Sequence, residues 1–316
     1  MNKIKFALTC SILVILVTSV QISCKQQDTE IQEEQKQIAQ QTDAPFPKKA
    51  LSKDFKEYWY SGNAEITSYA LEQARYGELR NGKAVMIYVT EPFLPDLQVK
   101  ADQKSPINIP VLKLNATKNY LTGIYPYSIM TSSFYPVHDN QHALKLSFSA
   151  QEWCGHVYAQ LNNRNDFEIM SHSYFGNEAD QNVHLSKTHL ENEIWNKIRI
   201  DPSALPTGSF QMIPSLEYIR LTHKELKPYD AKATISTMDG YTVYEISYPA
   251  LERTLQITYS STFPYTIEGW TDSYKGGFGQ NAKILTSTAT IINRITTPYW
   301  QQNSNKHLSL RDSLGL

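Results

Sequence analysis

His142-Ala-Leu-Lys-Leu-Ser-Phe-Ser-Ala150 alternates apolar and polar residues without a slip. Successive side chains of an extended chain point to opposite faces, so Leu144, Leu146 and Phe148 share one face and Lys145, Ser147 and Ser149 the other. A helix would scatter the same residues around its axis. Val157, Ala159 and Leu161 continue the alternation on a partner run ended by Asn162-Asn163, and Phe167 to Tyr174 reads as a third strand of this meander.

The pattern extends in both directions. Upstream, Ala84-Val-Met-Ile-Tyr-Val-Thr90 is a β-run that the Asn81-Gly82 dipeptide is expected to open as a turn. Downstream, Asp239-Gly240 precedes strand-like runs over Tyr241–Tyr248, Arg253–Ser260, Tyr265–Asp272 and Ile284–Ile295. Helical signals are fewer. Thr188 to Ile200 places Leu190, Ile194, Trp195 and Ile198 at helical spacing, with Thr188 and Glu191 as a capping box and Asp201-Pro202 as a stop. Ser68 to Arg80 fits helix or strand equally. The predicted fold class is therefore mainly β: an antiparallel sandwich or half-open barrel with a few short helices. It forms one body over 51–300, divisible into sub-sheets over 51–185 and 205–300, followed by a polar tail over 301–316 that frays.

Composition narrows the function classes. The 316 residues carry 30 basic and 31 acidic side chains, so the chain lacks the basic surplus of a nucleic-acid binder. Tyrosine is abundant, 20 residues against 11 Phe. Such side chains join an apolar body to a polar handle and suit cavity walls as well as half-exposed strands.

The N-terminus reads as an address. Lys3 and Lys5 precede an apolar run from Phe6 to Val20, too short to span a bilayer comfortably. The run ends in Val20-Gln-Ile-Ser-Cys24, which resembles a bacterial lipoprotein cleavage box although Gln21 and Ile22 depart from it. The resemblance implies removal of the signal segment 1–23, acylation of Cys24 and attachment to a lipid bilayer of the cell envelope, with the outer membrane expected and its face left open. Lys25 to Gln41 then holds seven Gln and almost no apolar residues, so 24–50 is expected to be a disordered tether. With Cys10 removed and Cys24 acylated, Cys154 is the one thiol left, and no internal disulfide can form.

Tyr58-Trp-Tyr-Ser-Gly-Asn-Ala-Glu-Ile-Thr-Ser-Tyr69, Leu71-Glu-Gln-Ala-Arg-Tyr-Gly-Glu78, Gly123-Ile-Tyr-Pro-Tyr-Ser-Ile-Met130 and Gln151-Glu-Trp-Cys-Gly-His-Val-Tyr-Ala-Gln160 together resemble an uncharacterised family of flavobacterial-type envelope lipoproteins. Its members are often labelled septum formation inhibitor Maf. True Maf proteins are small α/β nucleotide pyrophosphatases with a Ser-x-Arg-Arg motif, which this chain lacks, so the label brings no catalytic residues. Arg253 to Tyr265 also loosely resembles strand–turn–strand units of half-barrel envelope proteins of the lipoprotein-carrier type.

The sharpest chemical constellation surrounds Cys154. In an extended chain Cys154, His156, Tyr158 and Gln160 share one face, with Glu152 beside them and Trp153 adjacent. A thiol next to an imidazole can form a nucleophile–base pair. The same stripe, with Tyr125 and Tyr127, can instead line a ligand site, and packing alone also accounts for it. His138 and His142 lie four apart, but Pro136 and Asp139-Asn140 argue against the helix that zinc ligation would need; His184 and His189 are no better spaced. Neither a metal nor a cofactor is expected. Tyr274-Lys-Gly-Gly-Phe-Gly279 lacks the Gly-Lys-Ser/Thr of a phosphate loop and reads as a hairpin tip. Three functions follow in order of support: non-catalytic ligand binding or carriage, an interaction subunit of an envelope complex (septum-related, as the family label implies), and a Cys/His-dependent hydrolase. The partner is accordingly a small ligand or an envelope protein.

Overall fold

The alternation of the founding segment is the rule of the structure from Lys145 onward, whereas Leu144, expected on the face of Leu146 and Phe148, packs instead with Phe93 and Val111 in a separate small cluster. In the computed structural model, which describes residues 50–316 without 139–140, 278 and 280–281, Leu146, Phe148 and Ala150 turn inward against Val157, Ala159 and Leu161. The chain is mainly β, 55% strand against 16% helical. The signal segment, Cys24 and the tether up to residue 49 lie outside the described residues.

A short helix, α1 (Lys53–Trp59), is capped by Ser52, whose hydroxyl accepts from Phe55 N, and buries Phe55 and Trp59. An antiparallel meander follows: β1 (Ala64–Arg75), β2 (Glu78–Leu94) with the two-residue β3 (Val99–Lys100) at its end, β4 (Ile109–Thr122) and β5 (Tyr125–Pro136). It continues through β6 (Lys145–Glu152), β7 (Gly155–Asn163), β8 (Phe167–Ser173) and β9 (Gln181–Leu185). After β10 (His189–Leu190) the chain forms α2 (Glu191–Ile200), β11 (Gly208–Ile213) and α3 (Leu216–Thr222). A second meander, β12 (Tyr229–Met238), β13 (Tyr241–Tyr248), β14 (Arg253–Ser260), β15 (Ile267–Gly276) and β16 (Lys283–Thr297), returns to pair with β1. The two sub-sheets expected over 51–185 and 205–300 are therefore one continuous sheet, welded by the β1–β16 ladder from Ala64↔Thr297 to Glu72↔Thr288.

The sheet is open but strongly curled. Its opposite edges are β9 and β10, yet only three residues separate Leu185 from His189. Four peptide steps reach at most about 14 Å, so the edges must approach one another. This is the half-open alternative rather than a two-sheet sandwich. The outer face is polar over β12 and β14, with Thr254, Gln256 and Thr258 of β14 and Lys232 and Thr234 of β12 pointing away from the core. No helix among the described residues is long and apolar enough to cross a membrane.

Three local expectations are corrected. Asn81-Gly82 lies inside β2, and the hairpin turn is Tyr76-Gly77, whose φ angles of 54° and 77° suit the positive-φ pair of a two-residue turn. Gly82 serves close strand approach instead, since a Cβ there would meet the Asn119 carbonyl oxygen and Tyr120 Cβ. Thr188 does not cap α2: its hydroxyl donates to Gln211 O, and Glu193 reaches back to Leu190 N. The chain end, expected to fray, carries α4 (Ser309–Ser313) and buries Leu314, while Asn293 Nδ2 donates to Ser313 O at 2.6 Å. The ambiguous segment 68–80 is strand and turn, because tertiary pairing on both sides of β1 overrides local propensity.

α2 fills the curl. Ile194 and Ile198 are fully buried, and so are its polar residues Glu191, Glu193, Asn196 and Arg199. Each is answered by the sheet or its loops: Glu191 by Arg253, Glu193 by Ala143 N and His142, Asn196 Nδ2 by Leu112 O, and Arg199 by Glu65. A helix buried on every side needs such partners, because an unpaired charge in the interior is costly.

Candidate binding site in the sheet interior

The residues singled out around Cys154 do not converge on a cleft. Cys154 is exposed in the β6–β7 turn, where its amide donates to Glu152 Oε2 at 2.6 Å. Hydrogen bonding to the Glu152 carboxylate raises its thiol pKa, the reverse of what an activated nucleophile needs. His156 Nε2 lies 3.0 Å from Gln151 Nε2 on the outer face, so the imidazole is engaged there. Tyr158 and Gln160 share that outer face, joined by a hydrogen bond of 2.8 Å. The period-two reading of this strand holds, but its apolar side claims the interior and its polar stripe faces solvent. Tyr125 stacks on the exposed Trp153 with ring centroids 6.3 Å apart. Tyr127 is buried, and its hydroxyl is shared with Arg75 and Tyr76. None of these seven residues lines the interior cavity described below.

His142 Nδ1 contacts Glu193 Oε1 at 3.1 Å, which the sequence spacing could not reveal. Among the described residues, Asp166, Glu168 and His184 bring ligand atoms within 4.8 Å of one another on the exposed β8–β9 surface. His184 Nδ1 is already 3.2 Å from Asp166 Oδ2, and Arg164 Nε is 3.7 Å from Glu168.

The interior cavity lies where α2 and α3 cross the inner face of the sheet. Its volume is about 70 Å³. α2 contributes Glu191 and Trp195; β15 contributes Trp270, Asp272 and Tyr274; β14 contributes Arg253. Gln73 of β1, Ala84 of β2, Lys118 of β4 and Ser133 of β5 close the opposite side, with Glu217 and Tyr218 of α3 above. Trp195 and Trp270 meet edge to face at 5.5 Å.

Charge in the lining is concentrated and shared. The Arg253 guanidinium donates to both oxygens of Glu191 at 2.6 and 2.8 Å and to both oxygens of Asp272 at 2.8 and 3.0 Å. Tyr248 OH donates to Glu191 as well, at 2.8 Å. Burial pushes both carboxyl pKa values up. At Glu191 the Arg253 and Tyr248 contacts outweigh burial and hold it below the usual carboxylate range, whereas Asp272 ends above it. Lys118 Nζ pairs with Glu217 at 2.8 Å and sits 5.7 Å from the Trp270 ring. Burial also pushes the Tyr218 hydroxyl up to about 12.

Two buried acceptors in the lining have no hydrogen-bond partner, Gln73 Oε1 and Ser133 Oγ. Their residues are 3% and 1% exposed. Gln73 Nε2 shares its two N–H donors among Ala74 O, Tyr274 OH and Ser287 Oγ, 3.3 to 3.4 Å away, while its Oε1 has no partner. Unsatisfied buried polar groups are rare in folded proteins and call for an explanation.

α3 acts as a partition. Its Ser215 cap accepts from Tyr218 N, Leu216 N donates to Asn192 Oδ1, and Leu221 O accepts from Arg75. Glu217, Tyr218 and Leu221 face the cavity, while Leu216, Ile219, Arg220 and His223 face a second groove of about 410 Å³ with apolar walls of Phe148, Val157 and Val183. The spacings of three and four residues put these sets on opposite helix faces.

The sequence carries a signal for this site in the phase of its charged residues. Arg253 is in phase with Leu255 and Ile257, Asp272 with Trp270 and Tyr274, and Lys118 with Leu114 and Ala116. A charged residue in register with the apolar face of an alternating strand must be paired inside the protein or face a ligand. The chain matches no protein-family model and no curated protein.

Proposed function

We propose that the protein is a lipid-anchored envelope component that binds a small amphipathic ligand non-catalytically inside its curled sheet. The observation that carries this reading is the pair of buried, partnerless acceptors, Gln73 Oε1 and Ser133 Oγ, on residues that line a cavity walled by Trp195 and Trp270. A few fixed polar groups set among aromatic walls are what orient a small ligand. The cavity lining includes neither cysteine nor histidine, so the Cys154/His156 hydrolase reading gains nothing from it. The anchoring half of the proposal rests on Cys24 and the apolar segment before it, and the flavobacterial lipoprotein resemblance agrees with it.

Equilibrium dialysis against the small-molecule fraction of a bacterial envelope extract tests the binding half. The wild-type protein is expected to retain a species that Ala84→Phe, which fills the cavity, does not. Equal retention by a folded Ala84→Phe protein refutes the reading.

A second reading, as an interaction subunit, is favoured by one observation. The β1–β2, β4–β5, β6–β7 and β8–β9 turns fall at the same end of the meander and expose Tyr76, Ile124, Trp153 and Tyr174 together. Contiguous exposed apolar groups mark contact surfaces. Ile124→Asp combined with Trp153→Glu is expected to abolish co-purification of any partner while leaving dialysis unchanged; an unaltered partner set removes this reading.

A further inference from the structure

We infer that the cavity takes a small organic cation of the ammonium class, seated between Asp272 and the free Gln73 Oε1 and Ser133 Oγ acceptors against the Trp270 ring. The inference rests on the interior binding reading above and specifies its ligand.

Charge decides first. Three carboxylates line the cavity, Glu191, Glu217 and Asp272, against two cations, Lys118 and Arg253. Lys118 is committed to Glu217, and the single guanidinium of Arg253 serves both Glu191 and Asp272. Arg75 is the next cation, but it does not line the cavity: its donors go to Leu221 O and to the Tyr76 and Tyr127 hydroxyls. One negative charge is therefore left over. An uncompensated charge in an enclosed site is costly unless a proton or a cation answers it. Asp272 is the group placed to receive that answer, because its side chain keeps 19% of its surface open while the Arg253 side chain keeps 1%. Burial first, and the neighbouring Glu191 charge after it, raise the Asp272 pKa against the opposing pull of Arg253.

Hydrogen bonding points the same way. Gln73 Oε1 is an acceptor only, and Ser133 Oγ can accept, so both are satisfied by a ligand that brings N–H donors. An anionic ligand would meet three carboxylates. A neutral alcohol could satisfy an acceptor but would leave the charge unanswered. The face of Trp270 adds attraction for a cation that neither alternative has. Size sets the last limit: about 70 Å³ admits a handful of water-sized groups, so the ligand, or the part of it inside, has on the order of five heavy atoms.

The test uses the intact protein in detergent and four probes at matched ionic strength: ethylammonium, potassium, 1-propanol and propionate. Binding is followed by the thermal midpoint and by the indole N–H resonances of Trp195 and Trp270. Ethylammonium is expected to bind saturably and at least about tenfold more tightly than the other three, a gap of roughly one charged hydrogen bond. Asp272→Asn is expected to weaken it about tenfold or more. Ser133→Ala removes a hydroxyl with no partner, so the unliganded midpoint should hold while ethylammonium affinity falls about fivefold. If Asp272→Asn does not fold, Ser133→Ala decides alone. Ethylammonium binding within about threefold of that of 1-propanol, propionate or potassium overturns the inference. Saturable binding of one of those probes that Ala84→Phe blocks leaves the interior binding reading standing. No saturable response to any probe, with only water in the cavity, overturns both.

Discussion

Arg199→Met is expected to expose how much of the fold hangs on charges inside the curl. Arg199 is fully buried and donates to both Glu65 oxygens at 2.6 Å and to Pro264 O at 3.0 Å. Its guanidinium also lies 4.9 Å from the Trp59 ring and 4.7 Å from the Tyr88 ring, tying α1, α2, β1 and β2 together. Methionine fills most of the volume but leaves the Glu65 carboxylate without its main partner. Removing one member of a buried pair costs about 3–5 kcal/mol. Here the lower end applies, because Tyr58 OH still donates to Glu65 and Arg294 lies 3.7 Å away. At about 3 kcal/mol the thermal midpoint of a body this size falls by roughly 6–12 °C.

The loss should depend on pH. Burial raises the Glu65 pKa, but Arg199 outweighs it, so the wild-type value lies below the ordinary one. A depressed carboxylate stabilises the fold above its unfolded pKa, and that contribution disappears as pH falls through the folded pKa. In Arg199→Met burial wins and Glu65 takes up a proton more readily. The gap between variant and wild type should therefore narrow as pH is lowered from 8 to 5, as read by thermal unfolding followed with circular dichroism. A loss under about 1 kcal/mol, or a gap constant across that range, refutes the claim that this pair is an uncompensated necessity of the interior.

Other perturbations separate local roles. Gly82→Val is expected to cost about 1–3 kcal/mol by forcing β2 away from β4, whereas Asn81→Ala stays within about 0.5 kcal/mol because it forms no turn; urea midpoints distinguish the two. Cys154 should react with maleimide at neutral pH more slowly than free cysteine despite its exposure, since Glu152 raises its pKa, and Cys154→Ala should leave the thermal midpoint unchanged. Cys24→Ser is expected to abolish acylation and move the protein out of the membrane fraction; unchanged fractionation removes the anchor.

The parts of the fold legible in the sequence were those fixed by strict alternation. β6, β7, β13 and β14 show it because one face meets the core and the other meets water, and each strand carries that division in its own residues. Segment 68–80 was not legible, because β1 lies between β16 and β2 and has buried residues on both faces near its start. The union of the two meanders into one sheet depends on the pairing of Ala64 with Thr297, a contact that no local pattern announces. The site was missed for a related reason. Cys154 and His156 are neighbours in sequence, whereas the polar lining of the cavity comes from seven separate elements, through Gln73, Lys118, Ser133, Glu191, Glu217, Arg253 and Asp272. Their common signal, polarity in phase with an apolar face, is visible only once the phase of each strand is known.

Native mass spectrometry of the full-length protein, purified without denaturation, addresses the interior binding claim most directly. The account predicts one small molecule per chain, liberated on unfolding and missing from folded Ala84→Phe. A wild-type protein that carries nothing, or an Ala84→Phe protein that carries the same molecule, contradicts it.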